Sequence, residues 1–500
     1  MDISNQGLTV LDWIIIIGYG IGMLAIGFYF YRKNKSVDDY MLGGREMKSW
    51  KVGISLFATM FSAITYLSLP GEVIKYGPMI FLMLTAIPFI YIVVAYLFIP
   101  FIMKLKVSSA YELLEKRLGL QNRILAAIYF LIMRILWMSV ILYMVAEKII
   151  IPVMGWSEQS ALILSIVMGI ITITYTSIGG IKGVVLTDVI QSFILFFGTI
   201  LAIVIIISQL GSVSAIIPSE WPDHWAPWVF YDTNARVSLV TAFIAAFSWF
   251  VFTAGSDQMS IQRCLATRDV KAARKMYLSN LVVDTMVQLL LLVLGFSLYA
   301  YVKMNPAFLS GGKSILDSAD SLFPRFIAHG FPAGISGLVL AGLLAAAMSS
   351  LSSGINSSSL SVVNDFILRL SKKTMTEAEK VKISTIISFV IGVIIVLLSL
   401  IIGNIKGNLL ELTFKTVNLL VAPLFVPFFM AMFVKIAKPS ATFVGTLLSG
   451  IIALFISFSQ EIFSITISFL WIMPISFLVG VIISFVLSLI SSEEIKVIDD

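Results

Sequence analysis

Apolar residues dominate this chain in blocks rather than in alternation. Runs of about 20 non-polar residues recur from end to end, each long enough to cross a ~30 Å hydrocarbon core. Thirteen spans can be marked, numbered from zero: about 10–31, 52–75, 79–103, 123–150, 159–179, 183–209, 237–260, 276–303, 330–367, 381–403, 409–434, 440–459 and 462–490. The pattern predicts an all-α integral membrane protein of about 13 transmembrane helices, with no gap wide enough for a large soluble domain.

The polar loops set an orientation. If the N-terminus is outside, alternate loops face the cytoplasm and hold 25 of the 34 basic residues. They run from Arg32, Lys33, Lys35 and Arg45 through Lys104, Lys106 and Arg123, then Lys182, Arg263, Arg268 and Arg274, to Lys372, Lys373, Lys438 and Lys496. This segregation is what the positive-inside rule asks, and it places the C-terminus in the cytoplasm. The two longest loops, about 210–236 and 304–329, fall on the opposite side. Trp221, Trp225 and Trp228 in the first read either as interfacial anchors or as an outer lid.

Four places interrupt the oily pattern. In span 8, Ser349, Ser352, Ser353 and Asn356 fall at i, i+3, i+4 and i+7, lining one helical face with side-chain oxygens. Uncharged oxygens at bilayer depth suit a desolvated alkali cation, while small residues also let membrane helices pack closely. Both readings stand. In span 1, Ser55, Thr59, Ser62, Thr65 and Ser68 precede Pro70-Gly71, where a proline and a glycine predict a break that frees upstream carbonyls. In span 6, Thr253, Gly255, Ser256, Asp257 and Gln258 interrupt an aromatic run. Spans 1 and 6 hold equivalent positions in two sets of five, and matched breaks of this kind point to a midplane binding site in a transporter. Finally, Asp188 begins span 5 as a carboxylate entering the bilayer, either as an ordinary helix-start aspartate or as the charge for a bound cation.

Composition narrows the classes. The chain is 59% apolar and 12% charged, with a mean hydropathy of +1.00. The net charge of +6 follows from loop placement and calls for no nucleic acid. Cys264 alone makes no internal disulfide, and His224 and His329 lack metal-ligand neighbours in sequence. The first run lacks a basic leader and a small-residue cleavage site, which predicts a retained helix. No nucleophile–base constellation or phosphate cradle marks an enzyme.

DDYMLGGR, SAITYLSLPGE, SAYELLEKR, GGIKGVVLTDVIQ, DQMSIQRCLATRD and AAAMSSLSSGINS occur in this order and spacing. Together they resemble the sodium:solute symporter family over about residues 10–460. The resemblance implies a leucine-transporter-like fold in one transporter domain over 1–500, with five-plus-five inverted repeats at about 52–209 and 237–434. Span 0 and peripheral helices at about 440–490 are added to this core, and spans 1 and 6 are broken. It implies a non-enzymatic plasma-membrane symporter whose partners are sodium, a small solute and the lipid bilayer, with no obligate protein partner.

Carried over residue by residue, the main sodium site takes the carbonyls of Ala58, Phe61 and Ala346 with the hydroxyls of Ser349 and Ser350. A second sodium takes Asp188, Ser349, Ser352 and Ser353, so two ions are expected. The solute pocket falls to Met60, Ser62, Thr65, Tyr66, Trp137, Phe247 and Thr253. Arg134, an ionisable group inside span 3, is a further candidate, or else a residue snorkelling or pairing at the membrane edge. The apolar character of the pocket and the wording of span 1 favour a small organic anion such as a monocarboxylate. A sialic acid, sugar or amino acid is the alternative solute, and a solute-sensing receptor the alternative of another class.

Overall fold

The computed structural model describes residues 8–32, 36–104, 109–151, 160–218, 220–232, 235–309, 314–371, 375–402, 409–459, 462 and 471–493. Among the loop bases, Lys33, Lys35, Lys106, Lys372, Lys373 and Lys496 lie outside them, as does most of the stretch 460–470 at the start of the last expected span.

The first elements are α1 (Val10–Tyr31), α2 (Ser49–Met60), α3 (Ala63–Tyr76) and α4 (Pro78–Lys104), the last of mixed helical pitch. Next come α5 (Ala110–Met144), α6 (Ser160–Leu210), α7 (Leu239–Ser256), α8 (Gln258–Leu265) and α9 (Val270–Met304). The rest are α10 (Ile315–His329), α11 (Ile335–Ser361), α12 (Glu377–Ile402), α13 (Leu409–Phe433), α14 (Pro439–Ser457) and α15 (Ile472–Ile490).

Among the described residues, ten helices are long and apolar enough to cross a bilayer, or eleven when α2 and α3 are taken as one bent span. This falls short of the thirteen expected, for two reasons. Spans 4 and 5 run together in α6, whose 51 residues cover about 76 Å, more than two membrane thicknesses. The turn between them is a single residue, Gly180, at φ 60° and ψ −167°, a conformation that a side chain resists. Span 10 offers only the shorter apolar stretch Leu419–Phe433.

At the centre stands α11, in which every residue from Ala345 to Ser361 is buried. It packs on α6, α5 and α1, while α2 and α3 pack against α9. Close packing explains part of the serine stripe: a Cβ on Gly354 would lie 2.1 Å from Met138 Sδ. Ser352 and Ser357 turn their hydroxyls back to carbonyls of their own helix, at 3.0 and 2.8 Å.

The loop before α7 is docked rather than merely interfacial. Trp225 is buried and its Nε1 donates to the Ile74 carbonyl at 3.1 Å, capping α3. Trp221 and Trp228 remain exposed. Arg236 holds Glu72 at 2.7 Å, and Lys75 meets Asp320 of α10 at 2.5 Å.

Candidate functional site

The break in the first span lies eight residues before the expected Pro70. The axes of α2 and α3 meet at 67°, and Phe61 and Ser62 between them are extended. Pro70 is carried inside α3 instead. The cause is local: Ser62 acts as N-cap, its Oγ accepting the Thr65 N–H at 3.2 Å. With the ladder stopped after the Phe61 N–H bonds Phe57, the carbonyls of Ala58 to Phe61 lose their helical donors, until Tyr66 N–H bonds Ser62.

Two of these carbonyls face the serine stripe. Ser349 Oγ lies 3.0 Å from the Ala58 carbonyl, and Ser350 Oγ 3.4 Å from the Thr59 carbonyl. Ser349 Oγ also lies 2.7 Å from Asp188 Oδ1. A hydroxyl has one proton and cannot donate to both acceptors at once. With its proton given to one acceptor, the hydroxyl and the other oxygen are left to meet a small cation. Ala58, Ser349 and Ser350 are thus brought together as expected. Phe61 stands at the break and Ala346 on the facing turn of α11, and Thr59 joins them.

Asp188 is fully buried, and what surrounds it was only partly expected. Ser349 approaches Oδ1, but Ser55 donates to Oδ2 at 2.5 Å and Arg263 Nη2 lies 3.3 Å from the same atom. Arg263, placed above among the cytoplasmic loop bases, is instead wholly buried in α8. Its Nη2 also donates to Ser353 at 2.5 Å, its Nε to Ser55 at 3.1 Å and its Nη1 to the Met259 carbonyl at 3.2 Å. Thr59 Oγ1 reaches Ser353 at 2.8 Å. The expected second ion set of Asp188, Ser349, Ser352 and Ser353 therefore already contains a cation, while Ser352 points its proton back along α11.

The second break matches its expected position. α7 ends at Ser256, Asp257 is extended, and its Oδ1 accepts the Met259 N–H at 2.8 Å to start α8. Oδ2 of the same carboxylate ion-pairs with Arg134 of α5, both side chains buried. Arg134 is neither snorkelling nor free in the pocket; it ties α5 to the broken span. Arg123, also placed above in a loop, is buried against Asp365 and Glu115 at 2.8 and 2.7 Å.

The solute candidates divide. Met60 and Thr253 line one narrow cavity with Leu56, Phe250, Tyr277 and Asn280. Ser62 and Thr65 face each other at 3.0 Å beside the break. Trp137 packs between the two main core clusters, and Phe247 stacks on Phe243 with centroids 6.0 Å apart. Tyr66 does not join the cavity: it is fully buried, and its hydroxyl is engaged with Thr199 and with the Leu195 carbonyl of α6 at 3.1 Å.

Comparison with known proteins bears on the family and the fold. The family model "Sodium:solute symporter family" matches residues 40–450. The sodium/sialic acid symporter SiaT of Proteus mirabilis (strain HI4320) is 28% identical over 90% of this chain and 90% of its own. NanT of Aliivibrio fischeri (strain ATCC 700601 / ES114), another sodium/sialic acid symporter, is 29% identical over 77% of this chain and 75% of its own. Sodium-coupled monocarboxylate transporter 2 of Mus musculus is 26% identical over 71% of this chain and 58% of its own. Among solved structures, the substrate-bound outward-open state of a Na+-coupled sialic acid symporter superposes with a TM-score of 0.83, at 27% identity, over 97% of this chain and 98% of that one. MhsT in complex with L-phenylalanine shares the fold, with a TM-score of 0.51 at 15% identity over 89% and 99% of the two chains. The relatives are transporters rather than enzymes. The fold is leucine-transporter-like, and this chain belongs to the sodium:solute symporter family.

Proposed function

We propose that this protein imports an acidic solute of the sialic acid class across the plasma membrane, driven by sodium through alternating access. The observation that carries the ion site is Ser349, whose one proton faces two acceptor oxygens at the helix break. Sodium held by the Ala58, Phe61 and Ala346 carbonyls with Ser349 and Ser350 fits a set of neutral oxygens better than a divalent ion does. Such an ion bridges α2 and α11 and orders the break. By linkage, the solute that fills the adjoining pocket raises sodium affinity by the same factor.

The expectation of a monocarboxylate is less well supported than its alternative, because the sialic acid symporters match over more of the chain. Arg134 is already paired with Asp257, so it offers no free guanidinium to the carboxylate of either solute. A second sodium at Asp188 displaces the Arg263 contact rather than adding to it. The breaks at Phe61–Ser62 and Asp257 fall in the leading span of each proposed repeat, about 52–209 and 237–434, within one domain. The loop bases support an outside N-terminus and a cytoplasmic C-terminus.

Uptake of labelled N-acetylneuraminic acid into proteoliposomes tests the reading. An inward sodium gradient, and not a choline gradient, is expected to drive accumulation. Uptake of pyruvate with the sialic acid silent overturns the substrate class, and indifference to sodium overturns the coupling.

A further inference from the structure

One buried carboxylate belongs to neither ion set nor to the solute pocket. Asp284 sits in α9 about 21 Å along the helix from its start and about 30 Å from its end, well inside a hydrocarbon core. It is 6% exposed. Its level can be bracketed from two close approaches of α9. A Cβ on Gly53 of α2 would lie 2.4 Å from the Met276 carbonyl, and one on Gly295 would lie 2.7 Å from Val73 of α3. Asp284 lies between these contacts, about level with the break joining α2 to α3.

Among the described residues no cation pairs with it, and the side chain that bonds Asp284 is Gln288, whose Nε2 donates to Oδ2 at 2.6 Å. The charged side chains of α2, α3 and α6, which pack against α9, have other partners, and Arg325 of α10 lies over the Phe308 ring. Glu72 pairs with Arg236, Lys75 with Asp320, Lys182 with Asp39 and Asp188 with Arg263, while Lys51 lies over the Trp50 ring. The titratable group on the same face is Tyr277, seven residues away, with Cys264 of α8 beyond it.

An ionised carboxylate stripped of water and lacking a counter-charge is strongly disfavoured, and binding a proton removes the charge at once. Tyr277, Asn280, Asp284 and Gln288 form one stripe at i, i+3, i+7 and i+11. Tyr277 and Asn280 line the cavity beside Met60, and among the described residues the buried Tyr277 hydroxyl has no hydrogen-bond partner. A buried hydroxyl orphaned in this way, with the Asn280 amide and the Ser260 and Thr253 hydroxyls on the same largely apolar cavity, calls for water.

We propose that Asp284 is a proton-binding site, carrying a proton where it lies buried at the level of the α2–α3 break. The site goes beyond the sodium-driven reading and does not depend on which solute is carried. Infrared spectra of the purified protein in nanodiscs test it without any solute. A carbonyl-stretch band of a protonated acid is expected at neutral pH, lost in Asp284→Asn and retained in Asp284→Glu. Sodium-driven uptake should vary with pH in the wild type and become flat in Asp284→Asn. Wild-type and Asp284→Asn spectra that superimpose at every pH overturn the proposal, whether or not transport survives.

Discussion

Replacing Ser349 with alanine removes the one atom shared by the freed Ala58 carbonyl and Asp188. Two separable losses follow. Without sodium, the variant forfeits the hydrogen bond to a buried carboxylate, worth about 1–3 kcal/mol, and melts lower. With sodium, it lacks one hydroxyl ligand. A contact to a charged group contributes about 1.5–3 kcal/mol, so sodium affinity should fall at least about tenfold. At a sodium concentration near 100 times the wild-type dissociation constant, binding stabilises the folded protein by about 2.7 kcal/mol. A tenfold weaker site leaves about 1.4 kcal/mol at the same concentration. The assay is melting temperature in detergent across a sodium titration, with choline keeping ionic strength constant. The sodium-induced rise should roughly halve and its midpoint move to higher sodium. A lowered sodium-free melting point with an unchanged sodium midpoint would show that Ser349 is structural only, and the ion site between α2 and α11 would be refuted.

Three further outcomes follow from named contacts. Arg263→Ala leaves Asp188 buried without its cation and should cost about 3–5 kcal/mol in choline; sodium should recover more stability here than in the wild type, and equal recovery would separate Arg263 from the second ion set. Gly53→Ala places a methyl 2.4 Å from the Met276 backbone carbonyl and should destabilise by about 1–3 kcal/mol in thermal melts, with sodium binding retained. Glu115, in the part of α5 before the Gly119 kink and ahead of the expected span at about 123–150, is held below its ordinary value of 4.5, chiefly by the hydrogen bond from Arg369 and then by Arg123. A depressed carboxylate stabilises above its unfolded value and loses that contribution as pH falls through its folded one. Melting should therefore drop below about pH 4.5 in the wild type, and less so in Glu115→Gln.

Much of the architecture was legible because membrane spans are written locally, in runs of apolar residues. The serine stripe and the Asp257 break were legible for a related reason: each is a polar cluster inside such a run. The first break was misplaced because Pro70 is a louder signal than a cap. The decisive one was Ser62 with Thr65 three residues on, a helix start in the middle of a span. Arg263 and Arg123 were misread as loop bases because hydropathy does not mark where burial begins. Their partners lie 75 and 242 residues away, distances that no periodic pattern spans. Tyr66 shows the converse: it sits beside the break yet turns its ring toward α6, a direction set by packing alone. Trp225 likewise became a cap on α3 only once the loop had folded over Ile74.

The most direct measurement is the affinity of the purified protein for N-acetylneuraminic acid, read by thermal stability in sodium and in choline. If sodium at the α2–α11 junction orders the solute pocket, the solute stabilises in sodium at least about tenfold more tightly than in choline, and Ser350→Ala narrows the difference. Equal affinity in both salts would contradict coupling through that junction.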